Sequence, residues 1–526
     1  MKSRTTHTLN ASVHLENKDM KQISFYLALV FTVSSIYPKY VFADTIPDST
    51  QIYGVWDMAG SPYIVMGLAT IPADSSLTIE PGVHVEFKSS TNDSAFIIQY
   101  LDIGWIKAYG KLIAVGSETD SITFTSNGVG YWGGIHFEDV AEKNLMKYCS
   151  ITKCRSIGDE LIPGENYAGG LSLKNSQASI EHSNLSNNYI GVFAWSSQVS
   201  LNQNEIRNNY DGVVYFESSG KVSSSLISGN YDEGISSHTS AIIIENNLIE
   251  EQLQGIQSYE SFDTIVGNVI RNNLWGGIEI TRCNPLVFKN IIYGSNSGIR
   301  CSGSPRIANN TVVNNKYFGI YCDWDAKPYI INNIVYGNDS LILYDANDTV
   351  VFANNLLQVN AIPAGLTDAG GNIFNEDPLF VDPGNEDFSF VPASPCVNTG
   401  IAYFEWEDEV LLELEPGQYT GIAPDIGALE STYVGVKNDF SMLQKQSIIV
   451  VYPNPARGET INFYCNEAKT GYEYIVIKNM IGSIIHQQKV HDDKNIINIS
   501  DWPAGIYLAV VYKEGITIGQ TKIIVQ

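Results

Sequence analysis

Seven side chains in the middle of this 526-residue chain have the types that acid–base chemistry needs. Glu217, Glu260, Glu279 and Asp323 offer carboxylates, Arg282 and Arg300 offer cations, and His238 offers an imidazole. Hydrolysis of a glycosidic bond takes two carboxylates about 5 to 10 Å apart, one giving a proton to the leaving oxygen and one assisting attack. β-Elimination beside a uronate needs instead a basic group to take the proton, with Arg or calcium neutralising the substrate carboxylate; His238, Arg282 and Arg300 are the set available for it. Near them stand Phe193, Trp195, Phe216, Tyr259, Tyr321 and Trp324. Such rings stack on pyranose faces, and neighbouring polar groups fix the hydroxyls.

Residues so far apart in sequence meet only if a repeat brings them together. Glycines at 170, 191, 212, 234, 255, 277, 298 and 319 are separated by 21, 21, 22, 21, 22, 21 and 21 residues. Each precedes a short alternating strand, so the next residue (Val192, Val213, Ile235, Ile256, Ile278, Ile299, Ile320) points inward and the second and fourth point outward. This puts Phe193, Glu279, Arg300 and Tyr321 in one outer column and Trp195, Phe216, His238, Tyr259 and Asp323 in another. A second series runs Asn184, Asn204, Ser225, Asn247, Asn268, Asn290, Asn310, Asn333, Asn355. Two series with one period imply stacked coils, with amide bonded to amide along the axis. Glu217 with Glu260, or Glu279 with Asp323, then lie two coils or about 9.6 Å apart. Asn-Asn and Gly at the return segments exclude the helices of a leucine-rich repeat.

The repeat resembles the right-handed parallel β-helix of the pectate-lyase-like superfamily over roughly residues 75–430. That resemblance implies an all-β solenoid of three strands and three turns per coil. It transfers no catalytic residue, because the paired-Asp and Gly-His-Gly signatures of polygalacturonase-like hydrolases and a calcium-lyase cluster are missing. Glu279 and Arg300, one coil apart, suit a surface ion pair as well as a catalytic couple. The aromatic face either binds a glycan or is covered by an extra loop at 159–168 or an insertion at 402–420. His84 and His136 are expected to point outward. Cys301 and Cys322 are expected as stacked free thiols in the core.

Residues 447–526 lose the 21-residue period and form a separate β domain. Val451-Tyr452-Pro453-Asn454-Pro455-Ala456, Ile477-Lys478-Asn479-Met480-Ile481-Gly482, Trp502-Pro503-Ala504-Gly505-Ile506-Tyr507 and the terminal Lys522-Ile523-Ile524-Val525-Gln526 follow in order. They are similar to the type A sorting domain of type IX secretion substrates. This resemblance implies a small β-sandwich-like sorting domain, recognition by the type IX machinery, a Bacteroidota envelope, and release or anchoring at the outer-membrane surface. At the other end, Lys21, the apolar run 23–36 and Val41-Phe42-Ala43 read as a Sec signal peptide over 1–43, with 1–19 an over-long start. The segment holds five basic and two acidic residues, so its removal takes the net charge from −26 to −29. No transmembrane helix is expected in the mature chain.

Between 358 and 441, fifteen carboxylates face one basic residue, Lys437. This acidic region closes the β-helix at 430 and precedes a linker at 431–446. It reads as a cap over the open sheet end, with a calcium (Ca2+) site as the functional alternative; no metal ligand set is assigned. The whole chain sets 57 acidic against 31 basic residues, with a pI of 4.6. A field of that sign repels phosphates and excludes nucleic acid as a partner. The expectation is a secreted or surface β-helix, 44–430, presenting an aromatic and carboxylate face to an extracellular glycan or envelope component without catalysis; the alternative is a polysaccharide lyase or hydrolase acting on the same face.

Overall fold

A computed structural model describes residues 43–90, 103–155, 169–323, 326–343 and 349–431 of a first unit. Of a second unit it describes 449–452, 456, 458, 460–465, 474–479, 483–490, 494–513 and 516–525. The units divide between Gly435 and Val436. The signal segment, the loop at 159–168, Trp324 and the linker from 432 onward lie outside the described residues.

The first unit is a right-handed parallel β-helix. Its three sheets hold 15, 13 and 14 strands, starting at Asp44–Ile46, Thr50–Gln51 and Gly54–Trp56 respectively. Each coil gives one strand to each sheet, and every strand pairs in parallel with its counterpart one coil on. The inward column of the second sheet, Val192, Val213, Ile235, Ile256, Ile278, Ile299 and Ile320, is at most 1% exposed. Each such side chain contributes roughly 1.5–3 kcal/mol by leaving water.

The marker glycines are required by close approach. A Cβ at Gly255 would lie 2.5 Å from the Gly277 carbonyl oxygen, and one at Gly298 would lie 2.4 Å from Val312 and 2.5 Å from the Gly319 oxygen. A Cβ at Gly191 would meet Ile206, so it too points inward, as Val192 does. Two consecutive inward residues interrupt the strict alternation, and Asp211 and Glu233, just before Gly212 and Gly234, lie partly exposed.

Buried polar ladders hold the corners. Asn268 donates from N–H and Nδ2 to Asn290 Oδ1, both at 2.9 Å, and Asn290 does the same to Asn310 at 2.9 and 3.0 Å. In the earliest coil of this ladder the rung is Ser183, whose N–H donates to Asn204 Oδ1 at 2.9 Å. Asn184, expected there, instead bonds Glu205 on the outside. A second ladder, through Asn188, Asn209, Asn230, Gln252 and Asn273, precedes the second sheet. A third, of Ser176, Ser197, Ser218, Ser240 and Ser261, follows it. Each satisfies backbone groups that burial would otherwise leave unpaired.

The closing region wraps the flanks of the last coils. Leu411, Leu412 and Leu414, in and beside the hairpin Tyr403–Trp406/Glu409–Glu413, pack on Ala308, Ile331 and Ala353 of the third sheet. Phe388, Phe390, Cys396 and Ile426 pack on Tyr293, Val313, Ile334 and Leu356 of the first. The 402–420 insertion therefore covers the third sheet and not the aromatic face. Glu386 pairs with Arg271, and Glu430 with Lys289 at 3.2 Å. Among the described residues of 358–431, no three carboxylates converge as a cation site would require.

The second unit has one antiparallel sheet of three strands and one of four, around Ile461, Phe463, Ile475, Ile477, Ile497, Tyr507 and Ile523. No helix among the described residues is long and apolar enough to cross a membrane.

Candidate functional site

The second sheet carries the expected outer columns in register. Trp195, Phe216, His238 and Tyr259 occupy one strand position in four successive coils. Their rings follow one another at 5.8, 6.1 and 5.7 Å between centroids. Phe193 lies one column inward, in register with Val214, and Tyr321 lies further along that column, in register with Arg300. Trp324 falls outside the described residues.

Immediately after this row the chain turns through a left-handed residue in each coil, including Glu217, Glu260 and Arg282 at φ 48°, 48° and 54°. Asn175, Ser196 and Thr239 share this conformation. It is therefore a requirement of the corner rather than strain at a reactive group. Glu217 accepts from Trp195 Nε1 at 3.4 Å and from Ser196 Oγ at 3.3 Å. Beside the row runs a shallow groove of about 530 Å³, lined by Ser196, Glu217, Thr239 and the serine ladder, with the 80% exposed Phe262 at its margin.

The catalytic candidates separate into ion pairs. Arg282 lies 3.5 Å from Glu260 and donates to the Tyr259 hydroxyl at 3.2 Å. Arg300 reaches Glu279 at 3.5 Å and Asp323 at 2.7 Å, and its guanidinium lies over Tyr321 at 5.4 Å. Partial burial opposes the Arg300 charge, but Asp323 and Glu279 outweigh it and hold the proton more tightly than usual. This is the opposite of what a proton-abstracting Arg needs. One guanidinium thus bridges both carboxylates of the Glu279 and Asp323 couple, leaving the trio one negative charge in excess. Burial lowers the proton affinity of His238, keeping its imidazole neutral at pH 7.

A second group on this face was not legible in the sequence. Asp211 and Glu233, the residues before marker glycines 212 and 234, stand on adjacent coils and point outward. Their ligand oxygens and one of Asp232 lie within 4.8 Å of one another. Burial and the neighbouring Glu233 charge push the Asp211 carboxyl up to about 8, and burial also raises Glu233. The pair therefore holds a proton near neutral pH. A polar chain links it to the aromatic row. Gln257 Nε2 donates to Glu233 at 3.3 Å, and Ser236 Oγ donates to Gln257 Oε1 at 3.2 Å while lying 3.0 Å from His238 Nε2.

On the far side of this floor is a second aromatic row. Tyr189 and Tyr210 stack at 5.1 Å, Tyr210 and Tyr231 follow at 5.2 Å, and the Tyr210 hydroxyl reaches Asp232 at 3.4 Å. The face is thus a strip with aromatic rims and a carboxyl floor.

Two histidines behave differently from each other. His84 is exposed and bonds Thr123. His136, expected outside, is fully enclosed against Trp105 at 5.2 Å, with Nε2 donating to the Gly133 carbonyl at 2.7 Å. Burial pushes its pKa down to about 3. Cys301 and Cys322 are buried cysteines in register, one coil apart, with no disulfide between them.

Comparison with known proteins agrees with the two-part architecture. Residues 254–410 match the family model for the right handed beta helix region, and residues 142–317 match that for the periplasmic copper-binding protein NosD. Residues 450–526 match the secretion system C-terminal sorting domain. No curated protein matches the chain. Among solved structures, pectate lyase Pel9A is similar at 15% identity and a TM-score of 0.38, over 68% of this chain and 88% of its own. The Azotobacter vinelandii mannuronan C-5 epimerase AlgE4 A-module is similar at 13% identity and a TM-score of 0.37, over 57% and 86%. The periplasmic alginate epimerase AlgG is similar at 14% identity and a TM-score of 0.30, over 58% and 84%. None of these likenesses carries a residue or a reaction over to this chain. The protein is a right-handed parallel β-helix joined to a type IX secretion sorting domain, which directs it to the cell surface or the extracellular space.

Proposed function

We propose that the β-helix binds an extracellular glycan along the outer face of its second sheet, as a surface or adhesion module without turnover. The registered row Trp195, Phe216, His238 and Tyr259 carries this reading. Its rings repeat once per coil, close to the advance of a sugar polymer per pyranose. The closing region, which could have hidden them, lies on the other two sheets. The test is retention of the full chain on a panel of polysaccharides before and after Trp195→Ala, Phe216→Ala and Tyr259→Ala. Each loss of a stacking ring should weaken binding by about 1 kcal/mol, or roughly fivefold. Unchanged retention by folded variants overturns the reading.

One observation favours a catalytic alternative. A carboxyl that keeps its proton near pH 7 beside an ionisable partner is the arrangement a general acid requires, and Asp211 with Glu233 and Asp232 provides it. New reducing ends from a panel polysaccharide, abolished by Asp211→Asn, would establish a hydrolase; unsaturated products would establish a lyase.

Copper is not part of either reading. Cu sites use thiolate, thioether or imidazole ligands. Cys149 and Cys154 are buried with thiols pushed up, the first to about 12. His182 stacks on Tyr148 and His238 belongs to the aromatic row. The cluster of three metal-capable residues found among the described residues offers only carboxylate oxygens.

A further inference from the structure

The charge pattern of this face selects among glycans, an inference that rests on the glycan-binding reading above. A uronate polymer brings about one carboxylate per sugar, and so about one per coil if it lies along the axis. Recognising it takes cations free to meet those carboxylates, because like charges set side by side cost several kcal/mol.

The cations along the aromatic row are already paired with carboxylates, whereas on the tyrosine side Lys153, donating to the Gly128 carbonyl at 3.5 Å, and Arg155 stand beside Tyr189 and Tyr210 against a carbonyl and a ring. Lys107 and Lys174 both lie on Glu138 at the N-terminal end. Arg282 is held by Glu260, and Arg300 by Glu279 and Asp323. Arg155 and Lys316, at the two ends of the tyrosine side, lie over the rings of Tyr131 and Tyr317. Lys316 is four coils past Glu233, or about 19 Å, beyond the reach of screened charge in physiological salt. The carboxylates outnumber these cations. Glu217 accepts from two neutral donors, Trp195 and Ser196, and Asp211, Asp232 and Glu233 are gathered at the centre of the floor.

Neutral sugars meet the same surface differently. Their hydroxyls donate to carboxylates in charge-assisted hydrogen bonds, while their apolar faces stack on the rims. Gln257 and Ser236, between the carboxyl pair and His238, supply further neutral partners.

We propose that the face takes a neutral polysaccharide and rejects polyuronates, with Asp211 and Glu233 as hydrogen-bonding partners for sugar hydroxyls. The experiment titrates the full chain with cellohexaose, mannohexaose and xylohexaose, and with hexagalacturonate and hexamannuronate, reading Trp fluorescence and calorimetric heat. Each titration is repeated with calcium and with a chelator. The expected result is binding of at least one neutral hexasaccharide, at least about tenfold tighter than either uronate and insensitive to chelator. The double substitution Asp211→Asn with Glu233→Gln should weaken it several-fold, with near-UV circular dichroism unchanged. Equal or tighter binding of a uronate overturns the inference while leaving glycan binding intact; if that binding needs calcium, the carboxyl floor is bridging through the cation. Unchanged affinity in the folded double variant removes the two carboxyls from the contact. Silence toward every glycan overturns the reading on which the inference rests.

Discussion

Asp211 and Glu233 occupy the same strand position on adjacent coils, and Glu233 donates its backbone N–H to Asp211 Oδ1 at 3.3 Å. Two carboxylates so placed cannot both ionise cheaply, and burial raises the cost further. Folding therefore changes how tightly Asp211 holds its proton.

The sign of the resulting pH dependence follows from linkage. The folded value, about 8, lies above the ordinary 3.8, so the folded chain binds the extra proton between those limits. The stabilising contribution is complete below the lower value and is lost as pH rises through the upper one. Wild type should lose stability relative to Asp211→Asn between about pH 4 and 8, measured by urea unfolding across that range. Parallel curves for the two proteins would show that Asp211 titrates normally.

Asn310 makes an unusually demanding rung. The two hydrogens of its Nδ2 are shared among Val287 O, Ala308 O and Asn333 Oδ1, while its Oδ1 accepts twice from Asn290. Asn310→Ala leaves several buried groups unpaired and should cost about 2–4 kcal/mol. Asn310→Ser, the choice already made at Ser225, should cost less. Denaturant midpoints of the two variants decide this, and equal losses would show that the ladder's hydrogen bonds are not the source.

Gly255→Ala would press a methyl carbon against the Gly277 carbonyl, with Asn273 only 3.0 Å away. Overpacking of this kind costs about 1–3 kcal/mol. Gly417, with open space around its Cβ position, serves as the comparison; its φ of 105° makes Ala strained there for a different reason, so the contrast is read from whether truncating Asn273 restores Gly255→Ala. No recovery would locate the strain in the backbone contact alone.

Arg300→Ala separates binding from chemistry. A half-exposed ion pair contributes at most about 1 kcal/mol to stability, so the melting temperature should move little. Glycan retention should change by less than about tenfold if the face only binds. Loss of a measured turnover by several orders of magnitude would instead place Arg300 among reacting groups.

The solenoid was legible because sterics wrote it into the sequence: from Gly191 to Gly298 a Cβ at the marker collides with the carbonyl of the next coil, so glycine recurs with the coil length. The aromatic row was legible by counting from those glycines, as Trp195 and Phe216 demonstrate. Counting backwards failed. Strict alternation puts the residue before the marker inside, whereas the two consecutive inward residues at Gly212 and Gly234 leave Asp211 and Glu233 partly exposed. That column also changes type at every coil, from Ile190 to Asp211, Glu233 and Gln254, so no repeat advertised it. His136 was misplaced for another reason: its column is the outer one, but Trp105 closes over it. The sorting domain announced itself through contiguous motifs, which need no fold to be read.

In the ladders each rung's backbone N–H donates to the side chain of the coil that follows it, while the Asn amides also donate back to carbonyls of the coil before. Removing residues 247–267 would leave Ser225 facing Asn268, an acceptor of the same type as the Asn247 it replaces, whereas removing a single residue would shift the rungs of that coil. Length in this protein is therefore quantised in whole coils. The wrapped closing region fixes the coils it docks on, from Val269 to Leu356. The coils before it, which carry the aromatic strip, are the ones free to multiply or vanish, so the face can be lengthened or shortened to suit a ligand without redesign of the fold.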